Sequence, residues 1–146
     1  MDKTIIALIL VFFALGMGSI KAADKIWVGL YLAENTPPAP KAVLAPEQLT
    51  QRLTAVFGFK NYSLVKAQDI EMNHKWQQWA VPRNDFFIRV EPLPEQTGQP
   101  RTVYYEIYKD GFIVAKGNYE PNHDIPLFIN GPDFKQGRLI FVLEAR

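Results

Sequence analysis

Few side chains of this chain have the types and spacing that catalysis requires. A serine hydrolase needs a nucleophile, a base and an orienting group within hydrogen-bond reach, and beyond the first 22 residues Ser63 is the single serine. Ser63 lies inside the run Asn-Tyr-Ser-Leu-Val, without the glycines of a nucleophile elbow. We therefore interpret Ser63 as a strand hydroxyl and predict no catalytic residue.

Candidate metal ligands are equally sparse, because the chain has no cysteine and two histidines, His74 and His123. Glu71-x-x-His74 and Asn122-His123-Asp124 supply ligand types, but neither has the helical spacing of a zinc protease. Pairs of carboxylates suited to glycoside hydrolysis could be drawn in any small domain. Neither a phosphate-binding glycine loop nor a dinucleotide fingerprint is present. We therefore expect no metal, no cofactor and no enzymatic activity.

Aromatic side chains are the remaining candidates for a binding site. Tyr104, Glu106 and Tyr108 alternate along one predicted strand and so share a face, where rings would offer flat apolar area with a polar rim. Trp76 and Trp79 form a second dense group. Such a surface could bind a sugar or a peptide. The favoured alternative is that a helix covers this face and makes the tyrosines part of the core.

The first 22 residues are organised like a secretory signal peptide. Lys3 precedes an apolar run over residues 5–16, small residues follow, and cleavage after Ala22 is predicted. The apolar run is shorter than the ~20 residues that span a bilayer comfortably. An uncleaved anchor and a buried core helix are the alternatives. We expect export to the periplasm or the medium, and one globular domain over residues 23–146.

The composition of that domain excludes several classes of partner. Cleavage removes Lys3, Lys21 and Asp2 from the 16 basic and 15 acidic residues, so the remaining domain is formally neutral. A neutral domain has no overall field to draw it onto nucleic acid or an anionic membrane. Without cysteine it forms no disulfide, although exported proteins often do. We therefore expect the domain to be stabilised by packing alone.

Hydrophobic periodicity predicts one helix in a chain that is otherwise β. Residues 25–33 alternate with period two, as in a strand, and a proline-rich loop follows over residues 35–46. Pro46 suits the first helical turn, and Gly58 is the expected end of the helix. The predicted apolar stripe of this helix, near residues 46–57, consists of Leu49, Leu53, Val56 and Phe57.

The later segments predict further strands. We place them at residues 62–72, 76–81, 86–92, 101–109, 112–117, 125–129 and 138–144, with turn-rich segments at Asn130-Gly131-Pro132 and Gln136-Gly137. The predicted class is α+β, with a mainly antiparallel sheet of about seven strands and one amphipathic helix. A two-layer sandwich flanked by the helix is the alternative.

The sharpest local prediction is a hairpin around Asp110-Gly111, which lies between two alternating runs. Counting outward from a two-residue turn pairs Lys109 with Phe112, Ile107 with Val114, and Tyr105 with Lys116. The more apolar set is expected to face the core, namely Val103, Tyr105, Ile107, Phe112 and Val114. Tyr104, Glu106 and Tyr108 then lie on the opposite face.

Three segments resemble small exported bacterial envelope proteins of uncharacterised function: residues 53–64, 126–132 and 137–143. In those proteins a helix that ends in an aromatic residue is followed by a tyrosine-containing strand, and a hairpin closes the domain. The resemblance implies an envelope protein without known catalysis and carries over no functional residue.

We therefore expect a non-catalytic module that binds another envelope protein, because β-rich domains can accept an added strand at an exposed edge. A carbohydrate- or small-ligand-binding domain with an aromatic face is the alternative, and a small hydrolase is a distant third.

We predict that the exported protein begins near Ala23. Amino-terminal sequencing of material recovered outside the cytoplasm should return Ala-Asp-Lys-Ile, because a signal peptidase cleaves after the small-residue segment. Recovery of membrane-embedded protein that retains Met1 would contradict the prediction and favour the uncleaved anchor.

Overall fold

The computed structural model describes residues 25–72, 78–83, 86–94 and 101–146. The predicted signal peptide and Trp76 lie outside these ranges. Within them the chain forms one helix and eight strands: β1 Lys25–Glu34, α1 Glu47–Phe57, β2 Asn61–Glu71, β3 Gln78–Arg83, β4 Phe86–Pro92, β5 Val103–Lys109, β6 Phe112–Tyr119, β7 Leu127–Phe134 and β8 Gly137–Ala145.

The eight strands form two four-stranded sheets. Sheet A has the order β2-β1-β8-β7 and sheet B the order β3-β4-β5-β6, and every neighbouring pair is antiparallel. The expected mainly antiparallel, β-rich fold with one short helix is confirmed. The described strands number eight, and they divide between two sheets instead of forming one. This is the arrangement of the alternative, a two-layer sandwich flanked by the helix.

The main core lies between the two sheets. Because strand side chains alternate between faces, Ile26, Val28 and Leu30 of β1 point to the same side of sheet A. Residues on the facing side of sheet B complete this core, among them Phe86 and Ile88. The rings of Phe86 and Phe141 stack across the core at 5.0 Å between centroids.

A second core lies between α1 and the opposite face of sheet A. Leu49 and Leu53 pack there against side chains of three strands, namely Tyr31, Ala33, Tyr62, Ile140 and Val142. Sheet A is therefore covered on both faces, by sheet B on one and by the helix on the other. This arrangement decides which surfaces remain open.

The helix begins and ends close to its predicted bounds. Pro46 precedes its first residue, and Gly58 ends it with a left-handed φ of 79°, a conformation that glycine adopts without steric cost. Leu49 and Leu53 are buried as predicted, but Val56 is 62% exposed, so its place in the stripe was wrong. The last turn instead contributes Phe57, whose ring meets Phe128 at 6.3 Å. The residues through which α1 contacts sheet A are thus Leu49, Leu53 and Phe57, at positions i, i+4 and i+8.

The hairpin turn is confirmed, and the predicted register holds for the first two pairs, Lys109 with Phe112 and Tyr108 with Ile113, but is wrong beyond them. Asp110 and Gly111 have φ values of 49° and 82°, as a primed two-residue turn requires. A register shift after the turn pairs Ile107 with Ala115 and Tyr105 with Gly117. A side chain on Gly117 would come within 2.7 Å of the Tyr105 hydroxyl, so the glycine leaves room for that ring.

Two predicted core positions on β6 are also wrong. Phe112 and Val114 were expected to face inward, but they are 75% and 53% exposed. Small residues, Ala115 and Gly117, lie opposite the inward-facing residues of β5 instead. A bulge of this kind adds one residue to a strand and reverses the faces on which the later residues lie.

The turn predicted at Asn130-Gly131-Pro132 is also wrong. β7 continues through these residues with a register shift between Asn130 and Asp133. The chain reverses at Lys135 and Gln136, between the end of β7 and the start of β8, which agrees with the turn expected at Gln136-Gly137. Lys135 has a φ of 53° there. Separately, no helix among the described residues is long and apolar enough to cross a membrane.

We predict that Leu53→Ala lowers the free energy of unfolding by about 2–5 kcal/mol, because a fully buried leucine loses its packing and leaves a cavity. Val56→Ala is the matched control on the same helix and should change stability by less than about 0.5 kcal/mol, since Val56 is exposed. Urea unfolding followed by circular dichroism measures both. Equal losses of unfolding free energy in the two variants would contradict the prediction, because they would show that Val56 is as buried as Leu53.

Candidate functional site

The predicted binding residues lie on the outer face of sheet B, the face turned away from sheet A. The inward residues of β5 are Val103 and Ile107, so Tyr104, Glu106 and Tyr108 alternate to the outside, as predicted. Because α1 packs on sheet A, it does not cover this face. The expectation that the helix buries these tyrosines was therefore wrong.

Glu106 is the centre of this face and is only 5% exposed. Its Oε1 accepts a hydrogen bond from Arg89, which is its register partner on β4. Its Oε2 accepts a 2.7 Å hydrogen bond from the Tyr108 hydroxyl. The hydrogen bond from Tyr108, aided by Arg89 and opposed by burial, lowers the pKa of Glu106 below its ordinary value. The carboxylate is therefore held in its ionised form by its neighbours.

The aromatic rings of this face are arranged in contact with one another. Phe87 and Tyr108 are register partners, and their rings stack at 5.1 Å with an interplanar angle of 9°. Each ring thus turns one face toward the other. Tyr104 is half-buried, and burial followed by the charge of Glu106 raises the pKa of its hydroxyl. We call Phe87, Arg89, Tyr104, Glu106 and Tyr108 the outer-face cluster.

The chemistry available to the outer-face cluster is limited by these contacts. Both carboxylate oxygens of Glu106 already accept hydrogen bonds, so it is poorly placed to act as a base or to bind sugar hydroxyls. The Nε atom of Arg89 is buried and has no hydrogen-bond partner among the described residues. Trp79 is the register partner of Arg89 on β3. The cluster is therefore an internally paired surface to which a ligand would add few direct hydrogen bonds.

A second surface, which the sequence reasoning missed, is a cleft of about 710 Å³ on the helix side of sheet A. We call it the helix-side cleft. Its floor consists of strand residues, and α1 with two loops forms its walls. The lining residues used below are Trp27, Tyr31, Leu44, Leu64, Arg52, His123, Glu144 and Arg146.

The cleft exists because the helix is shorter than the sheet beneath it. An 11-residue helix is about 16 Å long, whereas the 10-residue β1 extends about 33 Å. α1 packs on Tyr31 and Ala33 near the end of β1 and leaves the start of the strand, at Trp27, beside open space. The alternation Trp27-x-Gly29-x-Tyr31 was the sequence feature that could have revealed this floor.

The floor of the cleft is aromatic and bears a cation. The Trp27 ring lies over Gly29, where a side chain would overlap it. The Arg146 guanidinium lies 4.4 Å from the centroid of that ring and 3.5 Å from the Glu144 carboxylate. Burial, followed by the negative charge of Glu144, raises the pKa of Tyr31 to about 12. Tyr31 is therefore a neutral hydroxyl at any physiological pH.

A third surface is the free edge of β6. Among the described strands, β6 pairs only with β5 and forms an end of sheet B. Phe112, Ile113 and Val114 follow one another there and are 75%, 50% and 53% exposed. Three consecutive exposed apolar residues on an edge strand are unusual for a surface that faces water alone.

The remaining chemistry-bearing residues do not converge. Ser63 is buried opposite Leu32 in sheet A, and its hydroxyl lacks a hydrogen-bond partner within the described ranges. His123 is exposed, and His74 lies outside the described residues. Within the described part of the chain, no three residues among histidine, aspartate and glutamate form a group that could hold a metal ion.

Comparison with known proteins found no matching family model, no matching curated protein and no matching solved structure.

We predict that the stabilising effect of the Glu106 carboxylate is lost in acid. The pKa of Glu106 is lower in the fold than its ordinary value, so the ionised group adds stability fully above about pH 4.3, the ordinary pKa of glutamate. That contribution declines as pH falls through the lower folded pKa. The difference in free energy of unfolding between the natural protein and Glu106→Gln should therefore shrink between about pH 6 and pH 2.

Urea unfolding at a series of pH values measures this difference. Glu120→Gln is the control for removing an exposed negative charge, since Glu120 lies on the surface after β6. A Glu106→Gln difference that stays constant across the range would contradict the prediction.

Proposed function

We propose that this chain is an exported, non-catalytic module that binds another protein of the bacterial envelope by accepting an extended segment along the free edge of β6. The signal-peptide organisation of its first 22 residues supports the compartment. The edge of β6, with its exposed apolar residues, is the observation that carries the mode of binding.

Comparison among the four edge strands singles out β6. β3 and β7 contain Pro82 and Pro132, and proline interrupts strand addition because it lacks an N–H donor. β2 presents charged side chains such as Lys66 and Asp69 along its exposed middle. These are common ways in which proteins protect an edge. β6 has no proline, and Lys116 is its single charged residue.

The energetics of strand addition suit this edge. An added strand gains backbone hydrogen bonds, and alternate side chains supply specificity. Covering an exposed phenylalanine, isoleucine or valine adds roughly 1.5–3 kcal/mol for each side chain that becomes fully buried. Phe112, Ile113 and Val114 offer three such side chains at the end of β6 nearest the turn. We therefore expect a partner segment with apolar residues facing this end.

The alternative function, carbohydrate or small-ligand binding on the aromatic face, has less support from the geometry. The rings of Phe87 and Tyr108 are stacked on each other, and each carboxylate oxygen of Glu106 already accepts a hydrogen bond, from Arg89 or from Tyr108. A sugar platform requires open ring faces and uncommitted polar groups beside them. A small hydrolase is less favoured still, because Ser63 has no neighbouring base among its described contacts.

The proposal is tested by photo-crosslinking in intact cells that export the protein. A photoreactive amino acid at position 114 should yield a discrete adduct with one other exported protein, identified by mass spectrometry. The additional change Phe112→Lys should abolish that adduct, because lysine removes apolar contact and protects an edge. Both positions are exposed, so the thermal midpoint should stay nearly unchanged.

Position 56 on α1 supplies the matched control, since Val56 is the same residue type as Val114, is also more than half exposed, and lies away from the sheet edges. Crosslinking there should give no discrete adduct. Equal labelling from positions 56 and 114, or an adduct that persists in Phe112→Lys, would overturn the proposal. Retention of the protein on immobilised glycans without a protein partner would favour the alternative.

A further inference from the structure

We propose that the helix-side cleft binds an amphipathic anion, a small molecule with an apolar chain or ring and one acidic head group such as a carboxylate or sulfonate. This inference concerns a different surface from the edge of β6 and does not depend on the proposed function. It rests on the shape of the cleft, its apolar floor and the distribution of charge around it.

The volume and lining of the cleft suit a small organic molecule. Ligand sites commonly enclose about 300–1,000 Å³ and combine an apolar lining with a few polar groups. The cleft measures about 710 Å³. Leu44 and Leu64 lie beside the aromatic floor formed by Trp27 and Tyr31, which gives a continuous apolar area for the body of the ligand.

The charged lining favours an anionic head group. Arg52 and Arg146 contribute two positive charges, and Glu144 contributes one negative charge. Arg146 lies near Glu144, whereas Arg52 forms no ion pair with an acidic side chain of the described residues and instead donates a hydrogen bond to the Asp124 carbonyl oxygen. His123 lies in the same lining and offers a further polar contact. An anionic group can therefore form a charge-assisted hydrogen bond with Arg52, which a cationic group cannot.

Both arginines are held in place by contacts that leave part of the guanidinium available. The Nη2 atom of Arg52 donates a 2.9 Å hydrogen bond to the Asp124 carbonyl oxygen, and Arg146 is positioned over the Trp27 ring. A guanidinium has five N–H donors, and these contacts engage few of them. An acidic group can therefore receive charge-assisted hydrogen bonds from side chains that are already oriented.

Matched probes test the requirement for an acidic group. 1-Anilinonaphthalene-8-sulfonate and N-phenyl-1-naphthylamine share an apolar ring system, but only the first is an anion. We expect the sulfonate to bind with fluorescence enhancement. Decanoate should displace it at concentrations at least about tenfold lower than decanol, a difference of about 1.4 kcal/mol, and decyltrimethylammonium should displace it least.

Variants locate the site. Arg52→Gln and Arg146→Gln should each weaken sulfonate and decanoate binding several-fold, and the corresponding lysine variants should recover part of the loss. Arg138→Gln is the matched control, because Arg138 is an arginine of sheet A that lies near Phe59 instead of in the cleft. Trp27→Phe should reduce energy transfer from tryptophan to the bound dye. Thermal unfolding establishes that each variant is folded.

Three results would overturn the proposal. The first is equal affinity for decanoate and decanol. The second is sulfonate binding that is unchanged in both Arg52→Gln and Arg146→Gln. The third is loss of sulfonate binding in Phe112→Lys, which would place the dye on the exposed apolar residues of β6. Loss of sulfonate binding in the arginine variants, together with unchanged binding in Phe112→Lys, supports a binding site in the helix-side cleft. This result does not bear on strand addition at β6, which the crosslinking experiment tests.

Discussion

The burial of β8 on both of its faces is the constraint on which the rest of the structure depends. Leu139, Phe141 and Leu143 pack toward sheet B, while Ile140 and Val142 pack under α1. β8 is also hydrogen-bonded on both edges, to β1 and β7. A strand enclosed in this way must be apolar almost throughout. The sequence of β8 meets this requirement, since five apolar residues, Leu-Ile-Phe-Val-Leu, follow Arg138. The helix and sheet B therefore shield the two apolar faces of this central strand from water.

The open surfaces follow from how these layers are distributed. One helix of 11 residues covers part of one sheet face, so a cleft remains beside it, and no second helix among the described residues covers the outer face of sheet B. Each uncovered surface has a different character. The cleft combines Trp27 and Tyr31 with charged residues at its rim, the outer face of sheet B is internally paired, and β6 exposes apolar side chains. The two proposed binding modes, for a small molecule and for a protein segment, thus use separate parts of the fold.

Local patterns predicted most elements, because period-two alternation, Asp110-Gly111 and Gly58 act through nearby residues. The errors arose where distant residues decide the outcome. The register shift that exposes Val114 depends on how β6 fits the side chains of β5, and Val56 is exposed because Phe57 takes the last contact with Phe128. The face on which α1 packs could not be predicted either, since two sheets offered a choice. The cleft at Trp27 could not be predicted from the sequence either, because it depends on the relative size and placement of α1 and sheet A.

The contrast between the outer-face cluster and β6 supports the proposal that Phe112, Ile113 and Val114 bind a partner. On the outer face, Arg89, Glu106 and Tyr108 pair with one another, so a solvent-facing sheet surface is stabilised without a large apolar patch. β6 adjoins that cluster through β5, and the same sheet could have carried further polar residues along it. Instead, it carries apolar residues at the end of an edge strand that has no proline. Such residues lower solubility unless another chain covers them, and a partner strand covers both the side chains and the unpaired backbone groups beside them.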